Sequence, residues 1–341
     1  MFSQSRVAVF NANGVVGKVL IEILEGRNLP GSNLVPLATG ADIGETISFS
    51  GKELPILDGA EVAFSDLKIV FFPEVFEESA VYAERAAAEG CIVIGSFDAI
   101  GWGAGVPMVV SEVNPEMIEG WRSRGMIASP NSAAVPILTA LKPIHDAVGV
   151  GRVNVVTFEP VSSAGKEAID ELASQVKAVF TMNAVHPEVF PKQIAFNVIP
   201  AVGEKEDNGY TSDENQIALH IQRVLGTEDI AVNVTSVHVP VFYGISAAIH
   251  LETRAKLTVD DAKNLLENAP GIVVYDESES GGYPTPFTEG ADNDPVFIGR
   301  MREDYTSQTG LAFWLVADNV RKGVALNCVQ IAEILLEKDL S

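Results

Sequence analysis

The chain has 341 residues, 47% apolar and 20% charged, enough for two domains with packed cores and too apolar for a disordered chain. Its formal net charge of −23 argues against a nucleic-acid or anionic-membrane surface. Its two cysteines, Cys91 and Cys328, have neither metal-ligand spacing nor a disulfide framework.

Met1–Arg6 does not read as a signal peptide, and no apolar run reaches transmembrane length; the expected location is the cytoplasm. Val7–Phe10 reads as a buried strand, residues 11–17 as a turn, and Lys18–Glu25 as a helix. Strand, glycine turn and helix open a dinucleotide-binding fold. The first glycine of that fingerprint is Asn11 here, while Gly14 and Gly17 stand at the other two places. Asn tolerates the left-handed backbone, so the turn can form, but its side chain crowds a pyrophosphate. Strands at 34–37, 68–72 and 91–94 alternate with a helix over 77–89, which predicts a doubly wound parallel sheet. A Gly-rich loop over 95–105 follows, then a short strand at 108–110, a helix near 115–120 and a strand near 126–127.

Ser129-Pro130-Asn131-Ser132 is a turn before the apolar run Val135–Leu141. It places Ser132 at a helix N-terminus, either as a plain cap or as a nucleophile. The second half has another rhythm. Strands at 152–159, 230–241, 247–252, 272–275, 297–302 and 311–316 combine with helices over 167–180 and 213–225. They predict an α+β domain with an antiparallel or mixed sheet. Residues 276–294 read as a long surface loop and 320–338 as a last amphipathic helix.

These motifs resemble the aspartate-β-semialdehyde dehydrogenase family along nearly the whole chain. The carrying residues are 7–17, Val113-Asn114, Pro130-Asn131, Ala140–Pro143, Val161–Gly165, Phe196–Pro200, Val239–Val241, Asp294–Arg300 and Val316–Gly323. The resemblance implies a Rossmann-type domain over 1–131 plus 318–341 and an inserted α+β dimerisation and substrate domain over 132–317. It also implies a homodimer that reduces aspartyl phosphate with NADPH through a cysteine thioester.

Departures from the family pattern fall on its working positions. The nucleophilic Cys is Ser132, a weak nucleophile without an adjacent base. The orienting Gln is Glu159, whose carboxylate beside an acyl phosphate is electrostatically wrong, and the basic His is Ile245. The substrate-carboxylate Arg is His238, the phosphate-binding Arg is Gly101, and the Glu-x-Lys element is Glu214 and Gln216. The 2′-phosphate pair is Ala41-Asp42, and Pro73–Phe76 replaces a small-residue stretch beside the nicotinamide half. Asn11, Asn13, Gly14, Val15, Val16, Ala41, Asp42 and Asn319 remain as the cofactor-binding positions.

Taken together, these losses resemble the catalytically silent Usg branch. They predict a homodimer without the family activity, with no bound cofactor and no metal, in a structural, regulatory or binding role. In this reading Ser132→Cys alone restores nothing. The alternatives are an NAD(P)-dependent semialdehyde oxidoreductase with altered chemistry, with Glu159 as base, or a hydrolase using Ser132 with His238.

Overall fold

The computed structural model describes residues 2 and 5–340, so Met1, Ser3 and Gln4 of the amino-terminal stretch lie outside the described residues. In chain order the elements are β1 (Val7–Val9), α1 (Val15–Gly26), β2 (Leu34–Ala38), β3 (Thr46–Phe49), β4 (Lys52–Pro55), β5 (Leu57–Asp58), β6 (Ile69–Phe72), α2 (Ser79–Ala88), β7 (Ile92–Ser96) and β8 (Met126–Ser129). There follow α3 (Ala134–Val148), β9 (Val150–Glu159), α4 (Lys166–Phe180), α5 (Ser212–Val224), β10 (Ala231–His238), β11 (Ile245–Thr253), α6 (Val259–Glu267), β12 (Ile272–Val274), β13 (Val296–Glu303), β14 (Gly310–Ala317) and α7 (Leu326–Leu340).

The chain divides into two compact units, Met1–Asn131 with Val324–Ser341, and Ser132–Gly323. The first is Rossmann-type. Its sheet runs β5-β2-β1-β6-β7-β8, and every pairing in it is parallel. A parallel sheet is covered on both faces, so its strands read as unbroken apolar runs. Val7, Val9, Ile69, Phe71, Ile92 and Ile94 pack with α1 and α7 through Leu20, Leu24, Val329 and Ala332. On the other face, Phe10 stacks on Phe72 with centroids 4.6 Å apart and meets Phe76 and Tyr82. The expected strand at 108–110 is only a bridge from Met108 to Ala128, and the helix near 115–120 is a 3-10 segment, Pro115–Ser123.

The second unit is an α+β domain with a mixed sheet, β10-β9-β11-β14-β13-β12. β10 runs parallel to β9, β12 runs parallel to β13, and the pairs between are antiparallel. Along β9 the side chains of Val153, Val155, Thr157 and Glu159 are buried, while Arg152 is exposed and Asn154, Val156 and Phe158 are half-buried. Period-two alternation therefore gives this sheet one covered face and one open one. Residues 318–323 go with this unit because the Asp318 carboxylate accepts from Asp292 N at 2.8 Å and Asn319 bonds to Gly244 N and Ser162. Three features were not expected: the β3–β4 hairpin, the short strand β5, and α6, whose N-cap Thr258 accepts from Asp261 N. Among the described residues no helix is long and apolar enough to cross a membrane, and no group of His, Cys, Asp and Glu could hold a metal ion.

Candidate functional site

In the first unit the turn between β1 and α1 survives the loss of its first glycine. Asn11 adopts the left-handed backbone, φ 49°, and its carbonyl accepts from Gly14 N at 2.8 Å. Gly17 is required, because a Cβ there would lie 2.0 Å from the Asn11 carbonyl oxygen. α1 begins at Val15 with Gly14 as N-cap and no side-chain capping bond. The turn and the close glycine contact fit a dinucleotide's pyrophosphate.

Around this loop, Asn13 donates to Glu45 at 2.7 Å. Ala41 and Asp42 stand in a 3-10 turn, Gly40–Asp42, just after β2. Gly101, at the family's phosphate-binding Arg position, has φ +64°, a backbone that suits Gly and strains Arg.

In the second unit Ser132 precedes α3. The N-cap is Ala133, without a side-chain capping bond, so the expectation that Ser132 caps this helix is corrected. The turn is one residue longer than the Pro-Asn signature suggests. Ser132 is half-buried under the chain's return at Gly323, where an added Cβ would meet the Ser132 carbonyl oxygen at 2.7 Å. Its hydroxyl thus stands at the end of a helix whose first N–H groups favour negative charge.

Glu159 ends β9 and is 3% exposed. Burial, with the Asp213 carboxyl hydrogen-bonded beside it, pushes its carboxyl well above the ordinary carboxylate range. Thr157 Oγ1 donates to Glu159 Oε1 at 3.2 Å, and Ser236 Oγ donates to Asp213 Oδ2 at 2.8 Å. Raised in this way, the Glu159 carboxyl keeps its proton to higher pH than an ordinary carboxylate, which weakens the charge that the residue type alone suggests beside an acyl phosphate.

His238 pairs with Glu159 across β10 and β9. Desolvation lowers its pKa to about 4, so the imidazole is neutral and is no substitute for a carboxylate-binding Arg. It packs edge-on to Phe190 at 5.0 Å, and its buried Nδ1 has no partner among the described residues.

Glu214 is structural. One oxygen accepts from Thr211 N at 2.8 Å in the capping box of α5, and the other accepts from Ser236 N at 3.0 Å. Gln216 is half-buried one turn further along that helix start. Ile245 is buried at the first position of β11. The Asn319 amide ties Gly244, just before Ile245, to Ser162. Asp213 was missed as a site residue: it reads as a helix start, and only packing brings it to Glu159.

Residues 6–121 match the model of a semialdehyde dehydrogenase NAD binding domain, and residues 141–322 match that of a semialdehyde dehydrogenase dimerisation domain. The aspartate-semialdehyde dehydrogenase of Shewanella violacea is 45% identical over 98% of this chain and 99% of its own. That of Legionella pneumophila is 42% identical over 96% of this chain and 95% of its own. A crystal structure of aspartate semialdehyde dehydrogenase II from Vibrio cholerae, complexed with ASA, aligns with a TM-score of 0.95. It is 40% identical and covers 98% of this chain and 99% of that one.

These findings correct two expectations. End-to-end relatives named as the enzyme overturn the reading of a catalytically silent, non-enzymatic chain. The NAD binding domain match overturns the expectation that no cofactor is bound. The physical reasons lie in the kept turn at Asn11 and in the raised carboxyl pKa of Glu159, which makes it less of a charge than its residue type suggests. Nothing here singles out the Usg branch. On both domain matches and on these full-length relatives, the chain belongs to the aspartate-semialdehyde dehydrogenase family.

Proposed function

We propose that this protein is an NAD(P)-dependent oxidoreductase that interconverts a small semialdehyde, of the aspartate semialdehyde class, and its acyl phosphate, with Ser132 in the nucleophile's place. The observation that carries this reading is 45% identity to a named enzyme over 98% of the chain. The bound nucleotide would supply hydride exchange. The residues of the first unit that would hold it are Asn11, Gly14, Val15 and Val16 in the turn, with Asn13, Ala41 and Asp42 beside the ribose. Ser132 would add to the aldehyde carbon, its hydroxyl proton passing through solvent to the former carbonyl oxygen. Hydride loss to the nucleotide would leave an ester, and inorganic phosphate would then displace Ser132 as the acyl phosphate forms. The helix start of α3 would favour the negative charge that develops. Glu159, its carboxyl pKa raised by burial and by Asp213, would orient the acyl group in its protonated form as an amide does. Ile245 accepts no proton, so the chemistry departs from the family there, and turnover is expected to be slow. The experiment is steady-state reduction of NAD and NADP by the purified protein given L-aspartate semialdehyde and inorganic phosphate. Turnover above the enzyme-free rate supports the reading.

A homodimer through the second unit goes with this function. It is supported by the match of residues 141–322 to a dimerisation domain and by the open sheet face bearing Arg152, Val156, Phe158, Asn233 and Thr235. Light scattering should give a mass near twice that of the 36.3 kDa chain; a monomer mass at micromolar concentration would contradict it. A cytoplasmic site is part of the same reading, in keeping with two free, buried cysteines.

A further inference from the structure

The N-terminus of α1 already carries an anion. Glu74 stands just beyond β6, and its Oε1 accepts from Val16 N at 2.9 Å. Its other oxygen, Oε2, lies against Gly14, 1.9 Å from where a Cβ would stand. The first turn of α1 holds no acidic residue and its N-cap makes no side-chain bond, so the carboxylate comes from another element. In a strand–turn–helix of this kind a pyrophosphate takes the N–H groups at the helix start, Val16 N among them. Glu74 holds that donor and sets its charge against Gly14, where the phosphates would approach.

Glu74 is half-buried, and Val75, next in the chain, is exposed. The aromatic packing beneath is made by Phe76, which stacks on Phe10 with centroids 5.4 Å apart and does not use the Glu74 carboxylate.

We propose that Glu74 gates the dinucleotide loop: its carboxylate closes the α1 N-terminus in the nucleotide-free chain and must be displaced for the pyrophosphate to bind. The proposal rests on the reading that the chain binds NAD(P). Its consequence is a nucleotide affinity set by a residue of the chain's own β6–α2 loop, weaker than the loop would otherwise give.

The test is calorimetric titration of wild type, Glu74→Gln and Glu74→Ala with NAD and with NADP, with thermal unfolding to show that each variant is folded. Glu74→Ala should bind nucleotide at least tenfold more tightly than wild type. Glu74→Gln, which keeps the acceptor and loses the charge, should fall between them. Variants that bind as wild type does, or more weakly, overturn the gate and leave the cofactor reading standing. If neither wild type nor variants bind either nucleotide, the cofactor reading fails and the gate fails with it.

Discussion

Ser132→Ala should lower the rate of NAD(P) reduction with L-aspartate semialdehyde and phosphate by roughly 10³-fold, leaving thermal stability unchanged. The hydroxyl caps no helix, so its removal costs the fold little. It is the only nucleophilic atom at this family position, so its removal ends the covalent route. Ser132→Cys should retain or raise activity, because a thiol ahead of a helix N-terminus ionises more readily than a hydroxyl. Glu159→Gln should change the rate little at low pH, where the raised carboxyl keeps its proton, and more as pH rises and that carboxyl ionises. The same change should stabilise the fold increasingly as pH rises. A carboxyl whose folded pKa lies above its unfolded value contributes stability that is lost as pH rises through the folded value. A large loss of activity in Glu159→Gln would show that the carboxyl acts as a proton-transfer group after all.

The second large effect concerns stability. Asn327→Leu should destabilise the first unit by about 3 kcal/mol or more. Asn327 is fully buried at the start of α7. Its Oδ1 accepts from Ser111 N at 2.9 Å, and its Nδ2 donates to Val109 O at 2.9 Å and Ser129 Oγ at 2.8 Å. Leucine fills the space and leaves three polar groups without partners, each costing about 1–3 kcal/mol. Urea titration with amide exchange read in β7 and β8 checks it; a midpoint within error of wild type would refute this role.

The fold was legible because it is written in apolar runs. Val7–Phe10, Ile69–Phe72 and Ile92–Ile94 are too apolar for a one-sided sheet, and the alternation with helices implies parallel winding. The mixed sheet of the second unit was legible from the strand-rich run after residue 230. α6 was not seen, although Thr258 with Asp261 three residues on carries an N-terminus signal. The same signal at Thr211 and Glu214 shows that a family substrate position here serves a helix cap.

The site was harder to read because its chemistry depends on surroundings. Glu159 looks like a charge in the sequence, and only burial beside Asp213 pushes its carboxyl above the ordinary range. Asn11 looks like a broken fingerprint, and only its backbone shows that the turn is intact. Residue types changed at several positions, and adding those changes as if independent led to the expectation of a silent protein. Glu74 was visible as a residue, but its carboxylate reaches α1 only through the end of β6.

The most direct measurement is nucleotide reduction by the purified wild-type protein with L-aspartate semialdehyde and phosphate, run beside Ser132→Ala. Wild type should show slow but saturable turnover with either NAD or NADP, and the variant none above background. Equal rates in the two proteins, or no turnover in the wild type at millimolar substrate with both nucleotides, would contradict it.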